Sequence, residues 1–169
     1  MVAADLHMHS TASDGQYSPG ELVKMGKEKS LQVLALTDHD TFSGAQEAIA
    51  AGERLGVKVL RGVELSAREY PSLHILGYGF SADAPSIQAL CKKMQAARDE
   101  RKYRIAAFLR EKGVDIDLRE VEDLAGGAVI GRPHFAQVMV RRGHVQNNRE
   151  AFDRYLDTEE YQKIERCKS

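Results

Sequence analysis

Three short apolar runs in the first 64 residues each close on histidine, aspartate or glutamate, and this pattern restricts the fold more than any other feature. Residues 2–8 (VAADLHM) carry His7 next to their end and lead to His9. Leu31–Thr37 (LQVLALT) is followed by Asp38, His39 and Asp40, and Val57–Val63 (VKVLRGV) by Glu64. Short, nearly continuous apolar runs read as buried strands. Helix signals lie between them. Ser18 is a helix N-cap with Pro19 at the first helical position, and "DTFSGAQEAIAAGERLG" reads as a helix from Asp40 stopped by Gly56. A fourth strand spans Leu73–Phe80 (LHILGYGF), with His74 near its start. Strand–helix alternation predicts an α/β fold with a mainly parallel sheet or barrel. In such folds the site forms at the C-terminal strand ends.

The spacing of His7 and His9 has a physical use. Side chains at i and i+2 of a strand share a face, so both imidazoles can converge on one ion while Met8 faces away. A histidine pair alone is weak evidence. Joined to Asp14, His39, Glu64 and His74 at neighbouring strand ends, it becomes a candidate metal cluster. A mixed imidazole–carboxylate set favours zinc, manganese or iron over calcium or magnesium.

After residue 84 the pattern turns helical. Pro85–Gly113 is one long amphipathic stretch, and further helices are predicted at 117–125, 133–142 and 148–156. We read residues 1–84 as the α/β body, 85–156 as an inserted helical subdomain, and 157–169 as a charged tail. Apolar residues make up 43%, enough for a core, and a net charge of −1 excludes a polybasic nucleic-acid coat. Two cysteines without CxxC spacing point to a reducing cytoplasm and not to a disulfide framework or zinc ribbon. No long apolar run indicates a membrane span.

The stretches "DLHMHSTASDG", "LALTDHDT", "GVELS", "HILGYG" and "GRPHFA", in this order, resemble the PHP (polymerase and histidinol phosphatase) superfamily of metal-dependent phosphoesterases. The "SDG" loop and the helical insert before "GRPHFA" look most like the branch that hydrolyses nucleoside 3',5'-bisphosphates and trims short RNA from its 5' end. The resemblance implies the N-terminal part of a distorted (β/α)7 barrel and a centre of up to three divalent ions (Mn, Zn or Fe). By that resemblance His7 and His9 hold one ion, and Glu64 bridges to a second completed by His74 and His134. Asp14 and His39 hold a third. A water activated by the ions, as hydroxide, attacks phosphorus, and Arg132 is the candidate cation on the phosphate.

Other residues stay open between roles. Arg132 precedes a proposed ligand by two positions, which favours the phosphate role over that of a surface-loop arginine that merely precedes Pro133. Residues 92–112 hold eight Lys/Arg against three Asp/Glu. Arg98 and Arg101 there contact phosphate or RNA backbone from a lid, or pair with Asp99, Glu120 or Glu122. Tyr103 stacks on a base or, more simply, packs in the core. Asp40 reads as a helix N-cap, Asp38 as a residue that orients a ligand histidine, and His144 as a surface residue.

The expected partners are a nucleotide or short RNA, with no DNA duplex, no membrane, and no protein partner inferable. A complete barrel usually needs about 250 residues, and the later family motifs are absent after His134. We therefore expect the N-terminal portion of a longer phosphoesterase, with poor activity on its own. The competing readings are a non-catalytic metal- or nucleotide-binding module and a histidinol-phosphate-type phosphatase.

Overall fold

The computed structural model describes residues 2–67 and 73–166. Strands β1 (Ala4–Met8), β2 (Val33–Leu36) and β3 (Lys58–Ser66) run parallel in the order β1-β2-β3. Strand β4 (His74–Tyr78) joins the edge of β3 antiparallel, with Ser66 opposite His74 and Gly62 opposite Tyr78. The sheet is thus parallel except for a returning last strand, which brings His74 back beside the end of β3.

Helix α1 (Pro19–Glu28) starts where its sequence says it should. The Ser18 side chain accepts from the Glu21 amide, and the Glu21 carboxylate accepts from the Ser18 amide at 2.8 Å. Helix α2 (Ala45–Leu55) begins five residues later than expected, after Gly44, and ends at Gly56 in the left-handed conformation (φ 67°). Both helices pack on one face of the sheet. Val23, Leu34, Leu36, Ala48, Ala51 and Val57 form that core.

The second half is helical: α3 (Pro85–Glu111), α4 (Leu118–Ala125), α5 (Arg132–Arg141), α6 (Asn148–Ala151) and α7 (Glu159–Arg166). A π-helical turn over Phe152–Leu156 carries α6 onward. The charged tail of the sequence does not lead away from the helical unit. Tyr161 of α7 is fully buried, edge-on to Phe108 of α3 with ring centroids 5.8 Å apart, because Tyr161 and Ile164, three residues apart, share one face of this polar helix. A second core around Phe108, Leu109, Phe135, Met139, Leu156 and Tyr161 results. Among the described residues no helix is long and apolar enough to cross a membrane.

Candidate metal centre

The first loop, residues 9–17, is shaped by Asp38, which is fully buried at the end of β2. Its carboxylate accepts from the Ser10 amide, the Ser10 hydroxyl and the Ser13 hydroxyl, each at 2.7 Å. Asp38 therefore holds the loop that carries Asp14, and does not orient a histidine. Gly15 completes the bend. A β-carbon there would sit 2.2 Å from the His9 carbonyl oxygen, so no other residue fits.

Around Glu64 the imidazoles converge. Its Oε2 lies 2.9 Å from both His7 Nε2 and His9 Nε2, which are themselves 3.2 Å apart. Ligand atoms about 2.0–2.1 Å from a tetrahedral ion lie roughly 3.3 Å from one another, so this triangle is a slightly contracted face of such a polyhedron. On the other side Oε1 contacts His74 Nδ1, and His39 Nδ1 approaches Oε2 at 3.5 Å without forming a hydrogen bond. Asp14 stands behind, 3.8 Å from His9 Nδ1 and 3.8 Å from His39 Nε2. Three donor groups result: His7, His9 and Glu64; His39, Glu64 and His74; and His9, Asp14 and His39.

These residues fit divalent ions on a specific ground. His9 Nδ1 and His39 Nδ1 are buried with no hydrogen-bond partner. An unsatisfied buried polar atom costs about 1–3 kcal/mol, and a cation would give it a partner. The electrostatics match. Burial opposes ionisation of Glu64, yet hydrogen bonds from His9, His7 and His74 hold its carboxyl well below the usual carboxylate range. Burial, and then the nearby Arg98 charge, push His39 down to about 3, so its ring is neutral and has a lone pair to give. Burial also works against protonation of His9, but the Glu64 hydrogen bond and the Asp14 charge raise it overall.

His134 does not join this cluster as expected. Its Nδ1 accepts a 3.0 Å bond from the Gly131 amide at the start of α5. With that lone pair engaged, the neutral ring carries its proton on Nε2. The ring is buried beside Asp14, and burial lowers its pKa. The set Glu64, His74 and His134 is not brought together; His39 takes the third place.

Each of the three arginines has a partner within the chain. Arg132 and His134 are two apart on α5, and such residues do not share a helix face. Arg132 Nη1 donates to the Leu156 carbonyl at 3.0 Å and to Asp157 at 3.2 Å, and its guanidinium lies over Phe152 and Tyr161. Arg101 Nη2 donates to the Tyr161 hydroxyl at 3.0 Å. Arg98 is buried and pairs with Asp40 and Ser66, not with Asp99, Glu120 or Glu122. Asp40 in turn is no helix cap, since α2 starts at Ala45. Tyr103 is 60% exposed and so belongs to no core. His144 is half-buried, with Nε2 3.3 Å from the Asp115 carbonyl. Sequence reasoning missed the pairing of Asp40 with Arg98 because its partners are 58 residues apart.

Comparison with known proteins places this geometry. The chain is 40% identical over 153 residues to a 5'-3' exoribonuclease of Haemophilus influenzae, covering 90% of this chain and 56% of that protein. It is 35% identical over 161 residues to a 3',5'-nucleoside bisphosphate phosphatase of Chromobacterium violaceum, covering 92% and 55%. It superposes with a TM-score of 0.83 on a C. violaceum amidohydrolase solved with bound sulfate, at 34% identity over 92% of this chain and 55% of the other. A protein of Bifidobacterium adolescentis assigned as a metal-dependent phosphoesterase gives 0.84, at 28% identity over 94% and 56%. The chain spans about half the length of the curated relatives it matches. Its fold corresponds to part of a PHP barrel with a helical insertion. The PHP domain model matches residues 5–164, and by that match, carried on the same strand ends that gather the imidazoles around Glu64, this chain belongs to the PHP domain family.

Proposed function

We propose that this chain carries the metal-binding part of a phosphoesterase acting on a nucleotide phosphate ester or on the 5' end of short RNA. The observation that carries the reading is Glu64, one buried carboxylate with four imidazoles around it, two of which have buried Nδ1 atoms without hydrogen-bond partners.

A neutral imidazole has one lone pair to give, yet His9 and His39 each appear in two of the donor groups. The partition that uses each ring once places His7 and His9 on one ion and His39 and His74 on another, with Glu64 shared. Asp14 then anchors a third ion or accepts hydrogen bonds from the rings of His9 and His39. Mn, Zn or Fe suits this donor set. Such ions lower the pKa of water toward neutrality and neutralise phosphate oxygens.

The chain's own groups do the rest. Glu64 stays ionised and His39 neutral, so neither must lose a proton to serve. His134, with its proton on Nε2 and Asp14 alongside, is placed to donate a hydrogen bond. A cavity of about 400 Å³ opens beside the first loop, lined by Ala12, Thr41, Ser43, Gln95 and Arg98 and by residues 127–130. That size suits a nucleoside. With two cysteines that lack CxxC spacing, we take the working compartment to be the cytoplasm.

The test measures divalent metal per chain, and phosphate release from adenosine 3',5'-bisphosphate and a short 5'-phosphorylated RNA, in wild type and Glu64→Gln. Metal binding with metal-dependent release, both lost in the variant, is expected. A wild type that holds no more metal than the variant would overturn the reading. Metal binding without release from any ester would instead identify a non-catalytic binding module.

A further inference from the structure

Asp40 adopts a left-handed backbone (φ 53°), which costs a residue with a Cβ about 1 kcal/mol. Such a conformation persists only where its surroundings over-determine it, and here they do. Its amide donates to the Glu64 carbonyl at 2.8 Å. Its own carbonyl accepts from Gln95 Nε2 at 2.9 Å. Its carboxylate, fully buried, accepts from the Ser66 amide and the Ser66 hydroxyl, each at 2.9 Å, and from Arg98 Nε. Arg98 Nη2 closes the ring by donating to the Ser66 hydroxyl at 2.8 Å.

The position of this network matters more than its size. Asp40 follows His39 directly, and Ser66 lies two residues beyond Glu64. The Glu64 amide also donates to the Asp38 carbonyl at 3.1 Å, and His39 pairs with Glu64 as an isolated parallel bridge. The segments that carry His39 and Glu64 are thus cross-pinned through backbone, and both are pinned again by Arg98 and Gln95 from α3. Metal ligands must be held to about 0.5 Å, and partners outside the ligand set commonly do this.

We infer that Arg98 is a positioning residue of the metal centre: through Asp40 and Ser66, helix α3 fixes the spacing of His39 and Glu64, so the helical subdomain is a structural component of the site. This rests on the metal-binding reading above. It differs from a lid that only meets substrate, because the effect reaches the ligands whether or not substrate is present. It also explains why an arginine, and not a lysine, stands there. Nε reaches Asp40 while Nη2 reaches Ser66, a two-direction grip that an ammonium on a flexible stem does not reproduce.

The test titrates chain 1–169 with Co²⁺ and reads both affinity and the visible ligand-field bands, beside thermal melting without metal. The variants are Arg98→Lys, Arg98→Ala and Ser66→Ala. Ser66→Ala removes the shared hydroxyl without stranding a buried charge, so it keeps the test valid if Arg98→Ala fails to fold. Folded Arg98→Lys and Ser66→Ala are expected to bind Co²⁺ about tenfold more weakly, with altered bands. A lower melting temperature with unchanged affinity and bands would mean that the network only stabilises the fold, and would overturn the inference while leaving the metal centre intact. No bands in the wild type would overturn the metal-binding reading, and this inference with it.

Discussion

Gly131 lies so close to Asp14 that a β-carbon on it would stand 2.6 Å from Asp14 Oδ2. The start of α5 and the first loop are fitted to each other at that point. The Val129 amide, 3.4 Å from the Ala12 carbonyl, makes a second contact between the same two segments. Gly131→Ala should therefore displace the Asp14 carboxylate. Any metal anchored by Asp14 should weaken by about tenfold while metal at His7, His9 and Glu64 remains. Competitive chelator titration resolves the two, and uniform weakening of all bound metal would contradict a local effect.

Glu64→Gln should cost more than one equivalent of bound metal, because the carboxylate contributes to two of the donor groups. Elemental analysis after gel filtration gives the stoichiometry. Loss of a single equivalent would show that Glu64 serves one ion.

Arg132→Ala should act on stability. It removes the bond to the Leu156 carbonyl and the stacking on Phe152 and Tyr161, together about 1–2 kcal/mol. The exposed pair with Asp157 adds little. The expected fall in melting temperature is roughly 2–8 °C, with bound metal unchanged. An unaltered melting temperature with weaker substrate binding would return Arg132 to the phosphate.

Acid should destabilise the metal-stripped protein. The folded-state pKa of His39 is about 3, below its ordinary 6.5, so between these values the unfolded chain takes up a proton that the folded one refuses. Stability therefore falls as pH drops below 6.5, by at most about 2 kcal/mol at pH 5. Glu64, depressed from its ordinary 4.5, adds to the loss as pH falls through and below that value. His9, raised above 6.5, works in the opposite sense and offsets part of it. Thermal melts between pH 7 and 5 should show a falling midpoint, and a rising one would contradict the buried neutral His39.

What could be read from the sequence was local or periodic. The Ser18–Glu21 capping box acts over three residues, and the β2 run LQVLALT announces burial by itself. The meeting of His7, His9 and Glu64 was legible because these polar groups stand at or near the ends of short apolar runs in neighbouring strands. The antiparallel return of β4 was not read, although residues 67–73 are too few for a parallel crossover of a dozen or more. The exchange of His134 for His39 beside His74 was not legible, because it depends on which nitrogen the Gly131 amide occupies. The partner of Arg98 escaped for a different reason. The candidates were acids near it in the chain, whereas Asp40 reaches it only once sheet and helices are assembled.

The two apolar cores draw on separate stretches of chain. One is built from residues between Met8 and Val59, the other from residues between Ile105 and Ile164. Each can collapse on contacts that are short-range along the chain, which favours rapid, independent nucleation. Arg98 and Asp40 then have to shed water when the preformed halves meet, so docking, not collapse, is the step that carries the desolvation barrier. Amide exchange should accordingly divide into two protection classes, one for β2 and its flanking helices and one for α5, with the amides of Asp40 and Ser66 opening together at the seam.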